Sequence, residues 1–157
     1  MRIERLSDAN AQVIANHWKY PEPYSFYDMT ADPEDYEEII REELRQDYYF
    51  QVLNQAELYG FFTVYPLGEM VELGLGIKPD CTGKGEGEAL IRIIMDYIQN
   101  NYSISTICLS VVDFNQRAQK IYEKIGFLKT REFLQATNGS THRFIEMQYD
   151  LSTRKEG

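Results

Sequence analysis

Three glycines at alternate positions, Gly83, Gly85 and Gly87 in CTGKGEGEAL, stand directly before an apolar, helix-forming run. Glycine allows backbone angles and close approaches that other residues forbid, and the first turn of a helix leaves N–H groups without intrahelical partners. Such a turn can aim several donors at one anion, phosphate first among them. The same cluster also fits a surface turn with no ligand. Just upstream, VELGLGI alternates Val71, Leu73, Leu75 and Ile77 with Glu72, Gly74 and Gly76. One face of that strand is core, and the other offers a carboxylate and two bare backbone positions on which a ligand could lie flat. Packing against a neighbouring helix would use the glycines equally well. Downstream, Tyr122 follows Asn115 by two helical turns, which puts both on one helix face. A tyrosine of ordinary pKa, about 10, is protonated at neutral pH and can serve as an acid, although an aromatic at that spacing is also ordinary core.

The elements that must position these residues follow from periodicity. RIERL alternates as a strand, and Ser7 can cap a helix through ANAQVIANHW. KYPEPYSFYDMTA, with two prolines among aromatics, predicts a loop. Asp32 as cap and Pro33 as first residue predict a second helix through DPEDYEEIIREELR, with Tyr36, Ile39, Ile40 and Leu44 on one face. YYFQVLNQ, ELYGFFTVYPLG and MVELGLGIKP then form an antiparallel meander with breaks at Asn54-Gln55 and Leu67-Gly68. Leu90, Ile91, Ile94, Tyr97 and Ile98 recur at helical spacing over 87–100. TICLSVVDF is a buried strand, followed by a helix begun by Asn115 and stopped by Gly126. LKTREFLQATN and STHRFIEMQYDL complete the chain as two strands around Asn138-Gly139. At 157 residues the chain has one domain's length, expected over 1–152, with a frayed tail at 153–157.

Composition narrows the partners. A formal net charge of −9 argues against nucleic acid and favours a cationic small molecule. The acid-rich stretch TADPEDYEEIIREEL reads most simply as a solvated helix face. No apolar run approaches the ~20 residues of a membrane span and MRIERLSD lacks a signal-peptide core, so a cytoplasmic protein without membrane contact is expected. Cys81 and Cys108 make neither a disulfide framework nor a Cys-x-x-Cys site, and His17 and His142 form no metal-binding pair, so no metal is expected.

The glycine turn matches neither of two familiar nucleotide signatures. G-x-x-x-x-G-K-[ST] fails because Lys78 lies where its first glycine would be, and G-x-G-x-x-G fails at Glu86 and Glu88. Thr82-Gly83-Lys84-Gly85-Glu86-Gly87 instead resembles the acyl-CoA signature [RQ]-x-x-G-x-[GA] of the GNAT acetyltransferases. Residues 115–127, NQRAQKIYEKIGF, resemble that family's second signature, N-x-x-A-x-x-x-Y-E-K-x-G-F, and both stand in the family's order and spacing. Thr82 departs from the usual Arg or Gln, and Glu86 brings a negative charge to a normally apolar position, tolerable beside phosphates if it turns to solvent.

The resemblance implies a single-domain α/β GNAT fold, with a mixed, mostly antiparallel sheet of about seven strands flanked by four helices. It implies an N-acetyltransferase that uses acetyl-CoA as cosubstrate. Thr82, Gly83, Lys84, Gly85, Glu86 and Gly87 would then bind the pyrophosphate, mostly through backbone N–H groups. Leu75, Gly76 and Ile77 would hold the pantetheine arm by strand-like hydrogen bonds, and Asn115 would contact the cofactor. Tyr122 would be the general acid, and Glu72, as a partly buried carboxylate, the candidate base. The acceptor cleft would be walled by Trp18, Tyr20, Tyr24, Phe26, Tyr27 and Met29, with the region of Thr137-Asn138-Gly139. These aromatics could equally anchor a long loop to the core. A primary amine on a small molecule is the expected acceptor, with a protein or peptide amine, or a non-catalytic acyl-CoA-binding module, as alternatives. Exposed aromatics and an edge strand near the C-terminus permit a homodimer.

Overall fold

The computed structural model describes residues 1–82, 85–137 and 140–151. Strand β1 (Arg2–Arg5) leads into α1 (Asp8–His17), then two short 3-10 turns (Tyr24–Tyr27 and Met29–Ala31), α2 (Pro33–Ile40) and α3 (Glu42–Arg45). Strands β2 (Tyr49–Asn54), β3 (Glu57–Leu67) and β4 (Met70–Ile77) precede a 3-10 turn at Pro79–Cys81 and the long α4 (Glu86–Asn101). Then come β5 (Thr106–Val112), α5 (Gln116–Ile125), β6 (Leu128–Thr137) and β7 (Ser140–Asp150). The strands form one seven-stranded sheet in the order β1-β2-β3-β4-β5-β7-β6. The β1–β2, β2–β3 and β5–β7 pairs are antiparallel and β4–β5 is parallel, the mixed α/β sheet expected. The residues group into two compact units.

The first unit comprises Met1–Thr63, Leu75–Thr82 and Thr137–Ser140. Ser7 caps α1 by accepting the Asn10 N–H at 3.1 Å, as its position predicts. Buried Gln51 on β2 fixes the junction of β1 and α1. Its Oε1 accepts from the Ser7 N–H and from Asn10 Nδ2, while its Nε2 donates to Glu4 at 2.7 Å. Ile14, Ile39, Val52 and Phe62 lie fully buried in this unit, with the Phe50 and Phe62 rings stacked at 5.0 Å. The β2–β3 and β3–β4 turns each fall one residue later than expected, at 55–56 and 68–69. Gln55 and Ala56 both adopt positive φ, 53° and 73°, the hand that a tight hairpin turn demands.

The single second helix expected over the acid-rich stretch is in fact two. Asp32 does cap it, its Oδ1 accepting the Glu34 N–H at 2.9 Å, but Arg41 is extended (φ −106°, ψ 116°) and α3 starts afresh. The reason is Arg45. Its guanidinium is buried, donates to the Ile39 carbonyl at 2.6 Å and pairs with Asp8, which satisfies a backbone acceptor released where the helix ends. A continuous helix would have buried Leu44, which the break leaves exposed. Five helices therefore stand among the described residues where four were expected.

The second unit comprises the other described residues. Leu90, Ile94 and Ile98 on α4 are fully buried, as the helical spacing predicts, with Val71, Ile107, Val112, Phe127 and Met147 from the remaining elements. Glu88 on α4 receives both Arg92, one turn on, and Lys124 of α5 at 2.8 Å, which holds its carboxyl below the usual range. The expected turn at Asn138-Gly139 and the tail from residue 152 lie outside the described residues.

Candidate active site

Parallel β4 and β5 share only three rungs, Met70–Thr106, Val71–Ile107 and Glu72–Cys108. Leu73 and Gly74 are not paired to Leu109 and Ser110, although β5 runs on to Val112. The alternation predicted for β4 fades at the same place. Val71 and Leu73 are buried, whereas Leu75 and Ile77 are only half-buried. The carboxyl ends of parallel strands, where pairing stops, are where open α/β sheets bind ligands.

In the second unit, α4 opens on Gly85, held at φ 77° with open space around its Cα. The left-handed backbone, not crowding, is what demands glycine there. No side chain caps this end, in contrast to α1, α2 and α5, which are capped by Ser7, Asp32 and Asn115. The N–H groups of the first α4 turn therefore suit an external anion of the pyrophosphate type. Gly87 lies inside that turn, where an added Cβ would make only ordinary contact with Ile121 of α5, at 3.6 Å. Glu86 is half-buried. Gly83 and Lys84, the two remaining residues expected to bind the cofactor here, lie outside the described residues.

Asn115 caps α5 through Oδ1, which accepts the Ala118 N–H at 3.1 Å. The side-chain carbonyl is thus engaged by the helix. Tyr122 lies two turns along the same helix and is nearly buried, 8% exposed, with its ring 5.7 Å from that of Phe127. Its carbonyl accepts from both Gly126 and Phe127, which closes the helix and sets the Phe127 ring against Tyr149 at 5.4 Å. The sequence G-F after the helix is thereby part of what holds Tyr122. Glu72 is exposed, which corrects the expectation of a partly buried carboxylate. It lies on the face of β4 opposite buried Val71 and Leu73, and its strand neighbour across the ladder is Cys108. Burial, then the Glu72 and Glu146 carboxylates, push the Cys108 thiol up, so Cys108 stays a thiol.

In the first unit, the bare position at Gly76 is filled by protein. A Cβ there would collide with the edge of the Phe61 ring, itself 6.1 Å from Trp18. A side chain of β3, and not the neighbouring helix that the sequence equally allowed, fills that space. Trp18, 5% exposed, is core behind Phe61 and not the surface of a cleft. Tyr24 and Phe26 are half-buried on the first 3-10 turn, and Tyr27 is 37% exposed with its ring edge-on to Phe26 at 5.3 Å. The loop is strapped down at several points. The Tyr20 N–H donates to Asp28, the Tyr20 hydroxyl donates to the Ile77 carbonyl at 2.8 Å, and Lys19 reaches Thr30. Asp32, besides capping α2, accepts the Thr137 hydroxyl at 2.9 Å, which ties the end of β6 to the same region. Thr82 turns its hydroxyl back to the Pro79 carbonyl at 2.8 Å. Phe61 was missed from the sequence, and Tyr20, expected as a wall of the cleft, straps the loop to β4 instead.

The α2 surface next to this loop is strongly acidic. Partial enclosure by the surrounding chain, then the carboxylates of Asp32, Glu38 and Glu34, push the Asp35 carboxyl up to about 6, although its side chain still reaches solvent. Among the described residues no cluster of His, Cys, Asp or Glu has the grouping of a metal site, and no helix is long and apolar enough to cross a membrane.

No curated protein matches the chain by sequence. Among solved structures, a chimaeric spermidine N-acetyltransferase SpeG from Vibrio cholerae and hSSAT superposes with a TM-score of 0.76 at 19% identity, covering 100% of both chains. Mutant forms of the spermidine/spermine N-acetyltransferase SpeG from Vibrio cholerae superpose at 0.73 with 23% identity, covering 99% of this chain and 97% of theirs. At such identities the likeness establishes the fold. The profile of the acetyltransferase (GNAT) domain matches residues 1–128, a stretch that contains both the glycine turn and the helix of Asn115 and Tyr122. With the sheet order and helix ends found here, that match places the chain in the GNAT acetyltransferase family, enzymes that draw their acetyl group from acetyl-CoA.

Proposed function

We propose that the chain transfers an acetyl group from acetyl-CoA to a primary amine of a small, multiply charged amine of the polyamine class, by direct attack in a ternary complex. Residues 1–152 act as one catalytic domain. The observation that carries the choice of amine is the acidic α2 surface beside the strapped aromatic loop, where partial enclosure first, and the carboxylates of Asp32, Glu38 and Glu34 second, raise the Asp35 carboxyl to about 6. Crowded carboxylates gain from a polycation, and aromatic side chains suit its methylene stem and ammonium groups. Fold neighbours that are spermidine and spermidine/spermine N-acetyltransferases agree with this reading.

Acetyl-CoA supplies a thioester with a thiolate leaving group. In this reading the first turn of α4 and the backbone of Thr82–Gly87 take the pyrophosphate, and Leu75, Gly76 and Ile77 offer strand-like backbone groups to the pantetheine arm. A backbone N–H from the same stretch meets the charge that develops on the acyl oxygen. Tyr122 gives its proton to the departing sulfur. Glu72 receives the ammonium proton, directly or through water, a role its exposure permits because an acceptor arriving from solvent brings its proton there. Tyr24, Phe26 and Tyr27 wall the acceptor side.

Release of the CoA thiol measured over a panel of spermine, spermidine, a simple monoamine and a short peptide tests this. KM is expected to fall as positive charge is added to the amine. It is also expected to rise as pH drops through about 6, where Asp35 takes up a proton and stops attracting the cation. A peptide or monoamine used as well as spermidine would refute the polyamine reading.

A further inference from the structure

The peptide group joining Ile77 to Lys78 is held on both sides. Its carbonyl accepts the Tyr20 hydroxyl at 2.8 Å, and its N–H donates to the Tyr59 carbonyl of β3 at 2.9 Å. The second bond ties the residue just past β4 to β3. The first comes from a side chain 57 residues away in sequence, on the loop that carries the acceptor-side aromatics. Tyr20 is itself fixed by its own N–H, bonded to Asp28 at 2.9 Å. We propose that Tyr20 is a positioning residue that couples the aromatic acceptor loop to the cofactor-binding end of β4, so that ordering the loop around an amine tightens acetyl-CoA, and the reverse.

The location gives the bond its leverage. Beyond Ile77 the chain turns through Pro79–Cys81 into Thr82, so the orientation of one peptide plane sets the exit of β4 toward Thr82, which is assigned to the pyrophosphate. A second contact runs in parallel, since Trp18 backs Phe61 and Phe61 fills the space over Gly76. Sterics therefore fix where the loop lies on β4, and the Tyr20 hydroxyl fixes the direction of the carbonyl. Burial first, and the Asp28 carboxylate second, raise the Tyr20 hydroxyl far above its ordinary value, so it remains a donor throughout the working range. Coupling of this kind is reciprocal at equilibrium: whatever factor the amine gives to acetyl-CoA, acetyl-CoA gives to the amine.

The inference rests on the assignment of β4 to the cofactor, and the test separates the two. Calorimetric binding of acetyl-CoA to the wild type, with and without spermidine, is compared with Tyr20→Phe, which removes the hydroxyl and keeps the ring. The wild type is expected to bind acetyl-CoA about 5-fold or more tightly with the amine present, the low end of typical couplings. In Tyr20→Phe that enhancement is expected to vanish and the KM for acetyl-CoA to rise several-fold, with kcat changed far less. Unchanged coupling in a folded Tyr20→Phe overturns the proposal and leaves the β4 assignment standing. A wild type that binds acetyl-CoA with no response to spermidine also overturns it. Failure of the wild type to bind acetyl-CoA would defeat the assignment itself and the proposal with it. A fall in melting temperature with binding constants intact would mean a purely structural bond, and would likewise overturn it. If Tyr20→Phe does not fold, Asp28→Ala, which loosens the loop and spares the hydroxyl, decides: partial loss of coupling supports the proposal and full retention refutes it.

Discussion

Replacing Tyr122 by phenylalanine is expected to lower kcat by about 100-fold, equivalent to ~2.7 kcal/mol of barrier, while leaving acetyl-CoA affinity essentially unchanged. The substitution removes one oxygen from a side chain whose ring already has its packing, against Phe127 at 5.7 Å, and whose backbone closes α5 through the Gly126 and Phe127 N–H groups. Those contacts survive, so the protein should fold and bind as before. On the proposed mechanism, what is lost is the proton for the departing thiolate, a contribution made only as the bond to sulfur breaks and hence visible in kcat and not in binding. Steady-state kinetics and calorimetry on the same preparation provide the check. An unaltered kcat would remove Tyr122 from the mechanism, and an equal loss of affinity would recast it as a binding residue.

The second large effect concerns stability. Phe127→Ala is expected to cost about 3–5 kcal/mol, because a fully buried ring flanked by Tyr122 and Tyr149 leaves a cavity that a closed helix end and a central strand cannot easily collapse. Against the ~5–15 kcal/mol that holds a typical domain together, this is enough to populate the unfolded chain. Urea unfolding followed by circular dichroism measures it. Phe127→Leu refines the picture by keeping most of the apolar volume while changing the surface against which Tyr122 leans. It should remain folded and still lose several-fold in kcat, which would separate the support given to Tyr122 from the support given to the core. A Phe127→Ala midpoint near that of the wild type would contradict the packing described.

The parts of this molecule that were legible in the sequence are those governed by local rules. Ser7, Asp32 and Asn115 cap the helices they were expected to cap, and the apolar spacing of α4 buries Leu90, Ile94 and Ile98. Glu72 was misjudged as partly buried because strand alternation tells which residues share a face, and not whether anything covers that face. The break at Arg41 escaped notice because its cause, a buried guanidinium reaching from Arg45 to Ile39 and Asp8, depends on tertiary contacts. Gly76 was half-legible. Counting outward from the break expected at Leu67-Gly68 sets Phe61 opposite Gly74, and only the observed turn one residue later, at 68–69, brings its ring against Gly76. Of the candidate site, the signature residues could be named from the sequence. The strapping of the aromatic loop by Tyr20 and Asp28 could not, because a hydroxyl and a carbonyl 57 residues apart leave no local trace.

Gly85 and Gly87 look alike in the sequence but stand under different pressures. Gly85 is held in a left-handed conformation, so almost any replacement strains the backbone whatever the protein is asked to do. Gly87 sits in an ordinary helical turn with room for a methyl group, and alanine there would favour the helix by up to about 1 kcal/mol. A lineage selected for foldability alone would therefore keep the first glycine and shed the second. Glycine at position 87 thus forgoes helix stability that the fold would allow, and on the proposed reading the two positions separate a requirement of the backbone conformation from one of the group that approaches it.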